Sequence, residues 1–141
     1  MDVFPKSAAE EVSGLRYFAR MLDKIRLHAR GELHSHYHKN LGHPQAADGV
    51  MCNFLRVHYE DLRQRVFEGG PDEELLEWCY QKGQRLNDGD IFVWNNFVSK
   101  IGWRDWAAPT LKRRKKELGI ADRDDIQTMG DLFDYEEGRK K

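Results

Sequence analysis

Apolar residues in this chain recur at steps of three and four, and segment after segment of that spacing stops at a glycine. That periodicity puts one stripe of each segment against a core and favours helices. Leu15, Phe18, Leu22, Ile25 and Ala29 define a first helix from about Leu15 to Arg30, stopped by Gly31. Ser7 with Glu10, after Pro5, has the form of a capping box just upstream. Met51, Phe54 and Leu55 begin a second helix, with Asp48 suited to its N-cap. Leu62 and Val66 mark a third from about Tyr59, ended by Gly69-Gly70. Pro71-Asp72-Glu73-Glu74 opens a helix carrying Leu75, Leu76 and Cys79 and closed by Gly83, with the acids at the positive end of its dipole. Asn87 or Asp88 starts another, with Ile91, Trp94, Val98 and Ile101 on one face and Gly102 as its stop. Pro109 permits a helix over Thr110 to Leu118 before Gly119, and a last short helix fits Asp125 to Phe133.

The expected fold is all-α: one domain over residues 1–141, an irregular orthogonal bundle of about six helices. The segment from Glu32 to Ala47 breaks the periodicity. Its turn formers Asn40, Gly42 and Pro44 make it a His-rich structured loop across one end of the bundle, with room for a short extended piece. Charged residues reach 33%, which in a chain poor in aromatics would mean disorder. Four Trp, five Tyr and seven Phe supply the rings of a compact core instead. Glu136 to Lys141 is a charged tail expected to fray.

Composition also narrows the function classes. A net charge of −1 lacks the basic excess of a generic nucleic-acid binder or of a protein that coats anionic membranes. No apolar run approaches the roughly 20 residues of a membrane span, and the first residues lack the apolar stretch of a secretory signal. Cys52 and Cys79 are too few for a disulfide framework and lack C-x-x-C spacing. Cytoplasm is the expected compartment.

The most conspicuous chemistry is a histidine cluster: His34, His36, His38 and His43. Imidazole suits a divalent metal such as zinc, so these four are the metal-ligand candidates. An extended backbone would hold His34 and His38 roughly 13 Å apart. A helical one would put them on one face and turn His36 away. Two of the three can then co-ordinate one ion, with His43 or a distant carboxylate supplying the rest. The plainer reading is a polar loop whose imidazoles cap backbone groups or meet solvent. Cys52, near the start of the second helix, is a candidate nucleophile, with His38 as its base if the loop folds back. Its plainer role is a small apolar residue packed beside Leu55, and Cys79 reads as core.

Tyr37 and Asn40 beside the histidines, together with Trp103 and Arg104, are the ligand-binding candidates, since aromatic and His-rich segments can line a cleft. For Trp103 and Trp106 the ordinary alternative is a core anchor with an arginine stacked on indole. The basic run Lys112 to Lys116 points all round a helix and reads as a solvated face. Asp122, Asp124 and Asp125 resemble a calcium loop only superficially, because Gln127 and Phe133 stand where glycine and a bidentate glutamate are required. Helix capping accounts for these acids better.

Several stretches together resemble a bacterial family known only as domain-of-unknown-function family 5069. They are Tyr37-His38-Lys39-Asn40-Leu41-Gly42, Asp48-Gly49-x-x-Cys52-x-Phe54-Leu55, Glu68-Gly69-Gly70 with Asp72-Glu73-Glu74, Gly102-Trp103-Arg104-Asp105, Asp122 to Thr128, and Glu137-Gly138-Arg139. The likeness covers nearly the whole chain, and the tail motifs are its most specific part. It implies a small self-contained cytoplasmic domain and supplies no substrate, cofactor or catalytic residue. Gly130 departs from the bulky residue of the family pattern and is expected to loosen the last helix. The favoured expectation is a non-catalytic binding or regulatory module for a protein or small-molecule ligand. The alternative is an enzyme or metal-binding protein using His38 and Cys52.

Overall fold

The computed structural model describes residues 3–141. A small hairpin, β1 (Glu11–Val12) and β2 (Leu15–Arg16), precedes α1 (Phe18–Ala29), a 3-10 helix (Ser35–Asn40), α2 (Ala47–Leu55) and α3 (Tyr59–Phe67). Then follow α4 (Asp72–Lys82), α5 (Asp88–Val98), α6 (Ala108–Glu117) and α7 (Met129–Glu136). The fold is mostly helical, as the apolar spacing requires.

The first helix starts three residues later than its apolar stripe suggests. Ser13 and Gly14 both take positive φ, 48° and 84°, the requirement of a tight hairpin turn, and pair Val12 with Leu15 and Glu11 with Arg16. Leu15 still enters the core, but from a strand. Ser7 to Glu10 is a turn rather than a capped helix: the Ser7 hydroxyl accepts from the Ala9 N–H and the Ser7 carbonyl from the Glu10 N–H. The histidine segment winds into a 3-10 helix instead of extending, capped by the His34 side chain, which accepts from the His36 N–H.

Other boundaries shift for local reasons. Ala46, not Asp48, caps α2, because Asp48 is withdrawn into the interior. Asn87 and Asp90 form the reciprocal capping box of α5. Thr128 opens α7, its hydroxyl accepting from the Asp131 N–H. Asp125, expected to cap that helix, instead pairs with Arg123. Gly83 ends α4 because the chain there runs against the end of α2. A Cβ at this position would stand 1.9 Å from the Leu55 carbonyl oxygen.

Three apolar clusters make the interior. The main one joins the hairpin and α1 through α5, with Leu15, Phe18, Met21, Leu22, Met51, Leu55, Leu62, Leu75 and Cys79 fully buried. Leu111, Ile120, Ile126 and Leu132 form a second between α6 and α7. Leu27, Leu33 and Tyr37 form a third under the 3-10 segment. Met129 packs against both of the first two and joins them. Trp94 anchors the main core and donates its indole N–H to the Arg16 carbonyl at 2.9 Å. Trp103 and Trp106 are not core anchors, being 47% and 45% exposed. No described helix is long and apolar enough to cross a membrane.

The tail expected to fray is tied down. Glu137 is 6% exposed and accepts from both terminal nitrogens of Arg20 at 2.9 and 2.8 Å, from the Tyr37 hydroxyl at 2.7 Å and from Arg139 at 2.6 Å. Arg139 also donates to the Pro5 carbonyl and Arg20 to that of Lys6. Both ends of the described chain are thereby closed over α1.

Breaking one member of a buried ion pair strands its partner's charge, at a typical cost of about 3–5 kcal/mol. Glu137→Ala is therefore expected to lower the unfolding free energy by about that much, and deletion of residues 136–141 by at least as much; an unchanged urea midpoint for the truncated chain would contradict the buried tail. Burial alone would raise the pKa of the Glu137 carboxyl, but the bonds and charge of Arg20, with Tyr37 and Arg139, draw it below the ordinary value. A carboxyl depressed by folding stabilises above its unfolded pKa, about 4.3, and that contribution is lost as pH falls through the folded value. Stability measured by urea unfolding should drop below about pH 4, and more shallowly in Glu137→Gln than in the wild type.

Candidate functional site

A cavity of about 290 Å³ lies where the three clusters meet. The N-terminal half of α1 forms its polar wall with Tyr17, Arg20 and Lys24, spaced so that all three share one helix face. Val98 and Ile101 line it from the main core, Met129 and Phe133 from α7, and Tyr37 and Asn40 from the 3-10 helix. The volume lies just under the range of about 300–1,000 Å³ typical of drug-sized ligand sites, which suits a small ligand.

The segment between the 3-10 helix and α2 is held by close backbone approach. The ring of Tyr59 fills the space where a Cβ on Gly42 would sit, 2.4 Å from its Cδ1, and a Cβ on Gly49 would stand 2.2 Å from the His43 carbonyl oxygen. His43 and Gln45 thus reach the cavity at fixed positions. Trp106 closes the rim, stacked on Phe97 at 5.8 Å between ring centres and donating its indole N–H to the Gln45 carbonyl at 2.9 Å.

Four charged side chains are buried in this protein: Arg20, Lys24, Asp48 and Glu137, among the described residues. Lys24 Nζ lies 2.8 Å from Asp48 Oδ1 and donates to the Tyr17 hydroxyl at 3.0 Å. The same hydroxyl donates to Asp48 Oδ1 at 2.6 Å, and Asp48 Oδ2 accepts from the Gly42 N–H at 3.2 Å. Burial pushes the Tyr17 phenol far up, reinforced by the Asp48 carboxylate, and pushes the Lys24 ammonium down against the pull of Asp48. On Arg20, burial opposes the charge, but the bonds and charge of Glu137 outweigh it and hold the guanidinium ionised. Phe133 lies over that guanidinium at 4.3 Å. Arg20 Nε is the buried side-chain polar atom left without a partner among the described residues.

Tyr17 carries a backbone outlier as well. It takes φ 78°, a region that bulky side chains avoid and that costs on the order of 1–3 kcal/mol. The conformation turns the chain from β2 into α1 and seats the phenol between Lys24 and Asp48.

The residues singled out from the sequence are dispersed. His34 and His36 meet each other, Nδ1 to Nδ1 at 2.7 Å, with His36 Nε2 3.9 Å from Glu136 Oε2. Burial, then His34 and Arg114, lowers the His36 pKa. His38 sits edge-on to His28 with its Nε2 3.0 Å from the Leu33 carbonyl. His43 accepts from the Gln45 N–H. No group of three or more His, Cys, Asp or Glu able to hold a metal ion assembles among the described residues. Cys52 is buried with its Sγ 3.9 Å from Met21 Sδ. Of the ligand-binding candidates, Tyr37 and Asn40 line the cavity, whereas Arg104 stacks on the half-exposed Trp103 away from it. In the basic run, Lys115 donates to the carbonyls of Arg123 and Ile126, and Arg114 pairs with Glu136.

Sequence reasoning missed Tyr17, Arg20, Lys24 and Asp48. Arg20 and Lys24 lie across α1 from the Phe18-Leu22-Ile25 stripe, on a face that amphipathic spacing assigns to solvent and the fold buries. The sequence carries no local signal of their burial.

Burial pushes both thiols up to about 12, the direction opposite to that of a reactive nucleophile. Alkylation of Cys52 and Cys79 by iodoacetamide at pH 8 is accordingly expected to be slower in the folded protein than in the unfolded chain by roughly three orders of magnitude, the ratio of the thiolate fractions. Equal rates would contradict the burial of Cys52.

No curated protein matches the chain. One family model does, Domain of unknown function (DUF5069), over residues 2–139, nearly the full length. The chain belongs to that family.

Proposed function

We propose that this protein is a non-catalytic binding module whose small-molecule ligand occupies the cavity walled by Tyr17, Arg20 and Lys24. The observation that carries this reading is a set of buried polar side chains aligned on one face of α1 opposite an apolar wall. Small-molecule sites have that anatomy: mostly apolar lining with a few oriented polar groups. The strained backbone of Tyr17 supports it, since such outliers cluster at functional sites. The polar groups are also fixed in advance by Asp48 and Glu137, so binding need not order them.

An enzyme built on His38 and Cys52 has less support. The two side chains engage separate partners, and the Cys52 thiol is held protonated by its surroundings.

Gly130 offers a clean test. It lines the cavity, and a Cβ there meets only the Thr128 hydroxyl oxygen at 3.7 Å, an ordinary contact. Gly130→Phe should fold, gain helix propensity in α7 and fill the cavity. The wild type is expected to bind at least one of phenol, indole, benzamide and benzoate at millimolar concentration, with shifts of the Trp106 indole and Met129 methyl NMR signals. Gly130→Phe should lose those shifts while keeping its melting temperature. Absence of binding across the four compounds, or undiminished binding by the variant, would overturn the proposal.

A further inference from the structure

We infer that the ligand of this cavity is a small organic monoanion, an aromatic or aliphatic carboxylate whose acid group meets Lys24. The inference rests on the binding reading above and deepens it. Of the four buried charges, both cations line the cavity, whereas neither Asp48 nor Glu137 does. Each carboxylate holds its cation from behind, Asp48 through Lys24 and Tyr17, Glu137 through Arg20 and Tyr37. No acidic residue lines the cavity among the described residues.

Unused donors point the same way. An ammonium has three N–H groups. Asp48 and the Tyr17 hydroxyl take two of those on Lys24, which leaves one. Arg20 has an Nε–H with no acceptor. Arg20 and Lys24 are 1% and 5% exposed, so water reaches them poorly and an acceptor brought by a ligand would act at low dielectric. A carboxylate is the acceptor best matched to a cationic donor.

The charge balance favours a monoanion over a dianion. Two buried cations are balanced by two buried carboxylates, so the site has no excess positive charge, and a phosphate dianion beside Asp48 would meet about twice the like-charge opposition that a carboxylate meets. The remainder of the ligand is apolar and small, because Val98, Ile101, Met129 and Phe133 enclose a volume of about 290 Å³.

The test compares isosteres on the wild-type protein by NMR titration: benzoate against benzamide, and benzoate against phenyl phosphate. Benzoate is expected to bind about tenfold more tightly than benzamide, the difference between a charge-assisted and a neutral hydrogen bond, and more tightly than phenyl phosphate. The double variant Lys24→Met with Asp48→Asn removes the cation without stranding the carboxylate; the amide oxygen can keep the Gly42 N–H while the amide NH2 donates to the Tyr17 hydroxyl, which can accept as well as donate. In it the ratio of benzoate to benzamide affinity should fall to about threefold or less. Benzamide binding as tightly as benzoate in the wild type, or phenyl phosphate binding more tightly than either, would overturn the inference while leaving the binding module intact. A preference undiminished in the folded double variant would also overturn it.

Discussion

The bidentate pair between Arg20 and Glu137 organises this molecule. Both side chains are removed from water, so each would be costly alone, and together they are tolerable because hydrogen bonds satisfy most of their polar atoms. Tyr37 and Arg139 complete the carboxylate, and the Lys6 carbonyl receives one guanidinium N–H. One carboxylate therefore fastens α1, the 3-10 segment and the C-terminal tail, and the apolar cluster under the 3-10 segment is fixed beside it. The second buried pair, Lys24 with Asp48, does the same for α1, α2 and the glycine-rich approach between them. Successive turns of α1 present these two cations. One helix face thus acts both as structural hub and as the polar wall of the cavity.

The cavity follows from the way the clusters meet. The main core and the α6–α7 unit touch through Met129, and the 3-10 segment comes in from a third side on Tyr37. Three convex apolar surfaces do not tile completely, and the gap falls where Gly130 and Ala107 offer little side-chain volume. A Cβ at Gly130 would meet only the Thr128 hydroxyl oxygen, an ordinary contact, so that position has room to begin a side chain. The open space is therefore a property of residue choice at one position as much as of the helix arrangement.

Helices, stops and most of the core were legible because each depends on local spacing. Leu62, Val66, Leu75, Leu76, Cys79, Trp94 and Val98 are buried as their periodicity requires. The hairpin was not legible, since Ser13-Gly14 is a weak turn signal and Leu15 fits a helical stripe equally well. Asp48 looked like a helix cap because sequence cannot show that Lys24, on a different helix, would claim its carboxylate. The histidines drew attention by density alone, yet density in a 3-10 turn places neighbouring imidazoles against each other and the backbone rather than around a common point. The tail looked disposable because charge usually signals solvent, and the Glu137-Gly138-Arg139 motif was visible only as a family likeness. Its structural work is to neutralise a guanidinium already committed to the interior.

The distance along the chain between Arg20 and Glu137 has a consequence for biosynthesis. The two are 117 residues apart. At about 5–20 residues per second, translation leaves the arginine without its counter-ion for on the order of ten seconds. During that interval α1 can gather its aliphatic neighbours but cannot seal its charged face, so the nascent helix keeps a hydrated guanidinium and a loosely held N-terminal segment. Arrival of the glutamate is then the step that dehydrates the face, so that face closes only after residue 137 has been made.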